Sequence, residues 1–468
     1  MTTVAGVDSS TQSCKVVICD ADSGAILRRG QAAHPGGTEV DPDAWWNALR
    51  TASAGLLDGV DAIAVAGQQH GLVALDAEGA PVRDALLWND TRSAEAAEDL
   101  IVELGGPQAW VDAVGSVPVA ALTIAKLRWM ADHEPEQADR TAHVLLPHDY
   151  LTWRLRGGEP GRMLPPTTDR GDASGTGYWS PTTGDYREDL LTMGFRGRTP
   201  ALPHILGPTQ LAGRTPSGTL VAAGTGDNAG AALGLGIAEG DVVVSLGTSG
   251  TAFARTTGAS ADPSGAVAGF ADATGAFLPL VCTLNAARVL TSIADLLNVD
   301  LTALESLAAQ SFPGADGVVL LPYLSGERTP NLPHAAGSLH GLRPGAMRPA
   351  TIARAAFEGM LCNLADALDH LTGIGVATRR ILLIGGAARS SLVAQIAAQI
   401  FGVAVTVPEP NEYVALGAAR QTAWALSGAS QPPDWPAHTV AEVPAPPDAT
   451  VGRQIRARYR QARQALYG

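Results

Sequence analysis

The chain has 468 residues, 46% hydrophobic and 17% charged, with a formal net charge of −14. That length buries more core than one domain usually builds, and the acidity excludes sequence-independent nucleic-acid binding, which needs a basic stripe. No apolar run approaches the roughly 20 residues that cross a bilayer, the longest (AGAALGLGIA, 229–238) being short and broken by glycine.

The opening MTTVAGVDSS has no basic start followed by an apolar core, so it reads as no signal peptide. VAGVDSS, CKVVICD and AILRRGQ read as three short strands joined by turns. DPDAWWNALRTASAGLL reads as an amphipathic helix capped by Asp41, with Pro42 at its first position. DAIAVAGQQH is a buried strand ending in Gln69 and His70, and VALDAEGAPVRDALLW a hairpin about Glu78–Gly79 with Trp88 at its end. Helical pattern runs from Ser93 to about Asp132 and returns at DYLTWRLRG; the turn-rich GGEPGRMLPPTTDRGDASGTG reads as loop.

After GTGDNAG the order repeats. Strands at DVVVSLG, TAFARTT, AVAGFAD and AFLPLVC precede helices at LNAARVLTSIADLL, LTALESLAAQ and PATIARAAFEGMLCNLADALDHL. Strand ILLIGG, helix SLVAQIAAQIFG, strand AVTVPE and helix ALGAARQTAWALSG follow. A proline-rich stretch, QPPDWPAHTVAEVPAPP, reads as an extended surface strap before a final charged helix. The alternation predicts an α/β chain of two related halves, 1–236 and 237–468. Cys14, Cys19, Cys282 and Cys362 form no CxxC pair, so neither a disulfide nor a zinc framework is expected and a reducing cytosol fits.

One device occurs in both halves: an apolar strand that breaks at a turn of Gly, Ser and Thr and then resumes. Laying Asp8 on Ser245 puts Thr11 on Thr248 and Ser13 on Gly250. Singly each turn is an ordinary hairpin; recurring in equivalent contexts, they read as backbone nests for phosphate oxygens. Asp8 at the lip of the first would face Mg²⁺ or its waters; the alternative is a solvent-exposed turn residue. Gly224–Ala229 matches G-x-G-x-x-A, a dinucleotide fingerprint, but the acid required some 20 residues later falls inside VVVSLGTSG. Asp227 is then either the N-cap of a small-residue helix or a base that takes a proton from a bound hydroxyl. In the second role it needs no raised pKa, since it orients the nucleophile while a phosphoryl group transfers. Neither Lys15 nor Lys126 follows a glycine as G-K-[ST] requires, so no P-loop exists.

In these segments the chain resembles the FGGY family of carbohydrate kinases, over nearly its whole length. GVDSSTQSCKV resembles the family's first phosphate loop, which commonly has Gly where this chain has Ser10; SLGTSG resembles the second and GDNA the segment of the catalytic base. LSGERTP with 337–342 resembles a second-domain motif, LIGGAARSSLVAQIAAQIFG the adenosine strand–turn–helix, and EYVALGAA the helix after it. The resemblance implies two actin-like (ribonuclease H-like) domains around a central cleft, sugar and base on 1–236 and ATP on 237–468.

It further implies Asp227 as base, Asn228 helping to hold the sugar, and Asp8 as catalytic and Mg²⁺ residue. Ser10, Thr11, Gly247 and Thr248 would grip phosphates, with Gly385 and Gly386 at the nucleotide, where close backbone approach is needed. Gln69 and His70 occupy the place of the Met-His or Gln-His pair of members acting on ketopentoses, where glycerol kinases have Arg-Glu. The implied reaction is transfer from ATP to a ketopentose, D-xylulose at its C5 hydroxyl ahead of ribulose or another polyol. Trp88 is weighed equally as sugar contact and core packing; Asp90 and Arg92 are expected to pair with each other, and Lys126, Glu327 and Arg328 to be structural. No membrane or nucleic-acid partner is expected, and a homodimer rests on resemblance alone. The competing classes are a non-catalytic actin-like nucleotide-binding scaffold and an NAD-dependent dehydrogenase.

Overall fold

Both faces of the strand Thr3–Ser9 (β1) are covered, so its Val and small residues form a near-continuous buried run. In the computed structural model, which describes residues 1–435 and 437–468, β1 is central to a sheet. It pairs antiparallel with Ser13–Asp20 (β2), which pairs antiparallel with Ile26–Ala33 (β3). On its other side β1 runs parallel to Ala62–Gly67 (β4). Beyond β4 lie Leu211–Arg214 (β5) and Leu220–Ala222 (β6), in the order β5-β6-β4-β1-β2-β3, while Thr225–Gly226 (β7) also pairs with β4.

A second sheet repeats this plan. Asp241–Leu246 (β8) pairs antiparallel with Gly250–Ala254 (β9), and β9 with Phe277–Thr283 (β10). On the other side β8 is parallel to Arg380–Ile384 (β11), followed by Ala404–Pro408 (β12) and antiparallel Thr439–Val443 (β13). Strand for strand, β10-β9-β8-β11-β12-β13 matches β3-β2-β1-β4-β6-β5, so the two halves share one topology as well as one turn.

The chain divides into compact units at 237/238, beside the expected boundary at 236, and at four further points. One compact unit comprises Met1–Ile237, Thr256–Leu278 and Asn411–Ala437; the other comprises Ala238–Arg255, Pro279–Pro410 and His438–Gly468. The return of the late helix to the first unit has a steric origin. Asp227–Leu235 (α1) and Tyr413–Ser427 (α2) are rich in Ala and Gly and pack almost backbone to backbone. A Cβ on Gly417 would lie 1.8 Å from the Gly230 carbonyl oxygen, one on Gly234 2.0 Å from that of Tyr413, and one on Gly6 of β1 1.9 Å from that of Ala415. Ala64, Ala66, Ala222 and Ala418 complete the small-residue contact. The helix read as following the adenosine segment therefore covers the first sheet.

Other expectations shift locally. Asp41 caps the helix Pro42–Ala52, as its sequence implies, by accepting from the Asp43 amide. The hairpin about Glu78–Gly79 closes its turn (Asp76 N to Ala80 O, 2.9 Å), but Val73–Leu75 pairs with His143–Leu145 and Ala85–Leu86 with Glu39–Val40. The segment read as loop contains strand Thr167–Asp169 and the short helix Arg170–Ala173, both largely buried, because Asp169 caps that helix through two backbone amides. Part of the proline-rich strap is the edge strand β13; Pro436 within it lies outside the described residues. All four cysteines are buried. Among the described residues no helix is long and apolar enough to cross a membrane.

The backbone contact sets a steric limit. Gly417→Ala should lower the melting temperature of the first unit, by an overpacking cost of about 1–3 kcal/mol or more. Gly373→Ala, where an added Cβ meets nothing within 4 Å, should be neutral or slightly stabilising; calorimetry of both variants checks the pair.

Candidate active site

The first hydroxyl turn is closed by the pair Ser9–Cys14, leaving Ser10, Thr11, Gln12 and Ser13 in the bend. The second is closed by Leu246–Gly250, leaving only Gly247, Thr248 and Ser249. The incoming strands correspond as expected, Asp8 with Ser245, but Gly250 answers Cys14 and not Ser13, because the first bend carries one more residue. In both bends the backbone carbonyls are drawn away by other groups. His34 donates from Nδ1 to the Ser10 carbonyl (2.8 Å) and from its amide to that of Gln12 (2.9 Å). The Ala286 and Ala287 amides, opening the helix Ala287–Leu297, donate to the carbonyls of Thr248 and Gly247. Engaging carbonyls in this way is what a bend needs if amides and hydroxyls are to meet an anion.

Asp8 is not a solvent-exposed turn residue: it is 4% exposed. Ser10 Oγ donates to its carboxylate, Lys15 Nζ stands 4.0 Å away, and Lys15 is itself held by Glu412 at 2.7 Å. Burial pushes its pKa up to about 6, against the pull of the Ser10 hydroxyl and the Lys15 charge. Thr11 Oγ1 accepts from Trp88 Nε1 at 2.8 Å, so the indole braces the phosphate-type bend by its N–H. In the second unit, Gly385 (φ +95°) lies so close to β8 that a Cβ would meet the Leu246 carbonyl carbon at 2.6 Å, whereas above Gly386 there is open space. Of the two glycines, only Gly386 leaves room for a ligand.

Asp227 is the first residue of α1, and the N-cap is Gly226, so the capping role expected as its alternative falls away. Its Oδ1 accepts from both the amide and Nδ2 of Asn228, at 2.8 and 2.9 Å. Asn228 Nδ2 also donates to Gln69 Oε1 (3.2 Å), and Gln69 Nε2 to the Gly171 carbonyl (3.3 Å). Gln69 thus holds Asn228 through its Oε1 while its Nε2 is anchored on Gly171. His70 has a left-handed backbone (φ 69°), uncommon outside glycine. Its Nδ1–H donates to the Gly175 carbonyl at 2.8 Å, Thr123 Oγ1 donates to its own carbonyl, and Phe270 lies 5.2 Å away, ring to ring. Since a carbonyl only accepts, neutral His70 carries its lone pair on Nε2. The glycines before Asp227 are demanded by side chains: a Cβ on Gly224 would meet His148 Nε2 at 2.2 Å, and one on Gly226 the Gln69 side chain at 2.7 Å.

The charge on Asp227 differs from expectation. Burial, and next the negative charge of Asp8, raise its pKa from the ordinary 3.8 to about 7. Beneath it lies a group that the sequence reading missed inside its supposed loop and beside it: His148, Asp149, Asp169 and Asp172, all at most 2% exposed. His148 Nδ1 faces Asp149 Oδ1 (3.0 Å) and Nε2 the Ala223 carbonyl (2.9 Å). Burial disfavours the charged ring, but Asp149 outweighs it and the pKa is raised. With acceptors on both nitrogens the ring is a counter-ion to these carboxylates rather than a metal ligand, although His148, Asp149 and Asp172 bring ligand-type atoms within 4.8 Å. The available signal was D-R-G-D, where Asp169 accepts from the amides of Gly171 and Asp172 as an N-cap does.

Asp90 and Arg92 pair with each other as expected, and Lys126 and Glu327 are engaged by neighbouring groups. Arg92 Nε pairs with Asp90 at 2.9 Å, Lys126 Nζ donates to the carbonyls of Ala120 and Ala121, and Glu327 accepts from Asn285, the Arg328 amide and Asn363. Two sheets of one topology, each with a hydroxyl bend, and a carboxylate set beside a polar pair are the features of a two-domain kinase of the actin-like type. Residues 3–240 match the N-terminal domain of the FGGY family of carbohydrate kinases and residues 242–426 its C-terminal domain. The chain belongs to that family. It is 48% identical over 442 residues to a xylulose kinase of Streptomyces coelicolor, covering 91% of this chain and 88% of that protein, and 35% identical over 438 residues to one from Escherichia coli, covering 89% and 88%. The crystal structure of xylulose kinase from Bifidobacterium adolescentis is 44% identical, with a TM-score of 0.90 over 99% of both chains. Plasmodium falciparum glycerol kinase with ADP, at 18% identity, TM-score 0.86, and coverage of 100% of this chain and 99% of that one, shares the fold.

The raised pKa has a consequence for stability. Between the ordinary 3.8 and about 7 the folded chain binds more protons at Asp227 than the unfolded chain does, so stability falls as pH rises through that window and stays lowered above it. Asp227→Asn should therefore melt above the parent by a margin that grows from pH 4 to 7 and then levels; thermal scans at pH 4.5, 6 and 8 test this.

Proposed function

We propose that the protein transfers the γ-phosphoryl group of ATP to the C5 hydroxyl of D-xylulose, giving D-xylulose 5-phosphate and ADP. The observation that carries this reading is the linked set Gln69–Asn228–Asp227 with His70 beside it. Asp227 takes the proton of the sugar hydroxyl, the hydroxyl oxygen attacks the γ-phosphorus, and the bond to the bridging oxygen of ADP breaks. A base whose pKa lies near 7 is well matched to this task at neutral pH, combining a substantial ionised fraction with real proton affinity. Asn228 holds Asp227 Oδ1 from two donors, so the other oxygen is the one that reaches the substrate. His70 Nε2 accepts from a sugar hydroxyl.

The choice of sugar draws support from chemistry and from the relatives. Asp8, Asp227 and Asp172 all carry carboxyls here, and among the described residues no arginine is hydrogen-bonded to any of the three, which suits a neutral polyol over an anionic gluconate. The Streptomyces, Escherichia and Bifidobacterium relatives are named for xylulose. Ser10 and Thr11 in one bend and Gly247 and Thr248 in the other bind phosphate oxygens, and Gly386 leaves space for the nucleotide. The donor set also fits Mg²⁺: Asp8 is a buried carboxylate with the Ser10 hydroxyl beside it, and its charge is felt at Asp227. Asp8 would hold the ion, directly or through water, and bound Mg²⁺ would neutralise charge on the triphosphate.

Release of ADP from Mg-ATP with D-xylulose, D-ribulose, L-ribulose, glycerol and gluconate in parallel tests the sugar. D-xylulose should give the highest kcat/KM; preference for glycerol or gluconate would refute the reading of Gln69 and His70. Asp227→Ala should lower kcat by on the order of 10²–10⁴ while sugar still binds. In the parent, kcat/KM should fall tenfold per pH unit below about pH 7, and an acid limb near pH 4 would mean that another group is the base.

A further inference from the structure

The short segment from Asp169 to Thr176 is the anchor of the sugar side. Its carbonyls hold the polar pair: Gly171 accepts from Gln69 Nε2 and Gly175 from His70 Nδ1. Its carboxylate holds the approach to the base. Asp169 Oδ2 accepts from the Gly171 amide at 2.8 Å and from Thr225 Oγ1 at 3.0 Å, while Oδ1 accepts from the Asp172 amide at 2.9 Å. Thr225 is fully buried and stands two residues before Asp227.

We propose that Asp169 is a positioning residue for phosphoryl transfer, acting through the Thr225 hydroxyl to fix the strand end that carries Asp227. The inference rests on the reading of Asp227 as base. Three features carry it. First, β7 is two residues long and pairs with β4 only at Thr225–Ala66 and Gly226–Gly67, so the ladder alone gives Asp227 little restraint. Second, the helix that Asp169 caps spans only Arg170–Ala173, too little structure to account for a carboxylate buried to 2% exposure. A buried carboxylate persists where its oxygens are met by donors, and here one of those donors comes from the segment of the base. Third, the same helix end orients Gln69 and through it Asn228, so base and sugar pair are referred to one rigid origin. Displacing a reacting group by about 1 Å costs on the order of 10²-fold in rate, which is why such a tie affects turnover.

The test compares Thr225→Val, which keeps the shape, with Thr225→Ser, which keeps the hydroxyl, and adds Asp169→Asn and the double variant Asp169→Asn/Thr225→Val. Thr225→Val and Asp169→Asn should each lower kcat about tenfold or more with KM for ATP unchanged, and Thr225→Ser should stay within about threefold of the parent. The double variant should be no worse than either single one, because both cut the same tie. A parental kcat in Thr225→Val, multiplying losses in the double variant, or losses that follow the folded fraction measured by circular dichroism would each overturn the proposal. Should Asp169→Asn fail to fold, the Val and Ser variants decide by themselves. Full activity of Asp227→Ala would remove the base reading whatever Thr225 does; an inactive Asp227→Ala beside a normal Thr225→Val would remove only the tie.

Discussion

The first unit is organised around burying negative charge where it can be used. Asp8 at the end of β1 and Asp227 at the start of α1 sit in each other's field, and both are largely withdrawn from water. The charge of Asp8 adds to what burial does at Asp227, and the charge of Glu412 to what burial does at Asp8, and the protein answers with few fixed cations. Lys15 reaches Asp8 only at 4.0 Å and is committed to Glu412. His148 is spent on the lower layer of Asp149, Asp169 and Asp172. Such a concentration of carboxylates favours cations and retained protons over anions. A phosphoryl acceptor that is a neutral polyol, activated by a base and paired with a metal-bound triphosphate, suits those electrostatics.

Such a field is useful only if its carboxylates stay in place, and the means is unusual in its dependence on small side chains. α1, α2 and β1 touch backbone to backbone at Gly6, Gly230, Gly234 and Gly417, with alanines between. The Ala and Gly richness of these segments is a packing requirement. It also explains why the chain leaves the first unit and returns to it: α2 is the surface against which the helix of Asp227 is seated. Close-packed interiors transmit small displacements rather than absorbing them, so the geometry at Asp227 is referred to a helix nearly 200 residues later in sequence.

Much of this was legible in the sequence, and the parts that were not share a cause. Strand order, the repeated bend, the end of β4 at Gln69–His70 and the GDNA segment follow from apolar periodicity and turn chemistry, which are local. What escaped was tertiary. The one-residue difference between the two bends depends on which pair closes each hairpin. The raised pKa of Asp227 depends on Asp8, over two hundred residues away in sequence, coming near it. The segment around Asp169 was read as loop because Gly, Asp and Ser dominate it, and those residues look the same whether a turn faces solvent or caps a buried helix. Composition reports the backbone preference; only the partners (Thr225, Gln69 and His70) give the segment its role.

The fold by itself leaves the sugar undetermined. Structures of a gluconate kinase from Lactobacillus acidophilus and of the Plasmodium glycerol kinase superpose with TM-scores of 0.90 and 0.86 at 23% and 18% identity, so one architecture serves proteins named for an acid and for a triol. Discrimination must lie in the few side chains at the end of β4 and in what holds them. In this chain His70 is fixed by a carbonyl to present an acceptor, and Gln69 is turned inward to hold Asn228. On the proposed reading, a sugar would meet the His70 ring and one amide-steadied carboxylate rather than a row of cations. Changing specificity on this scaffold would require changing the anchors at Gly171 and Gly175 together with the pair they orient, because a new side chain at position 69 or 70 would still inherit the old hydrogen-bond directions.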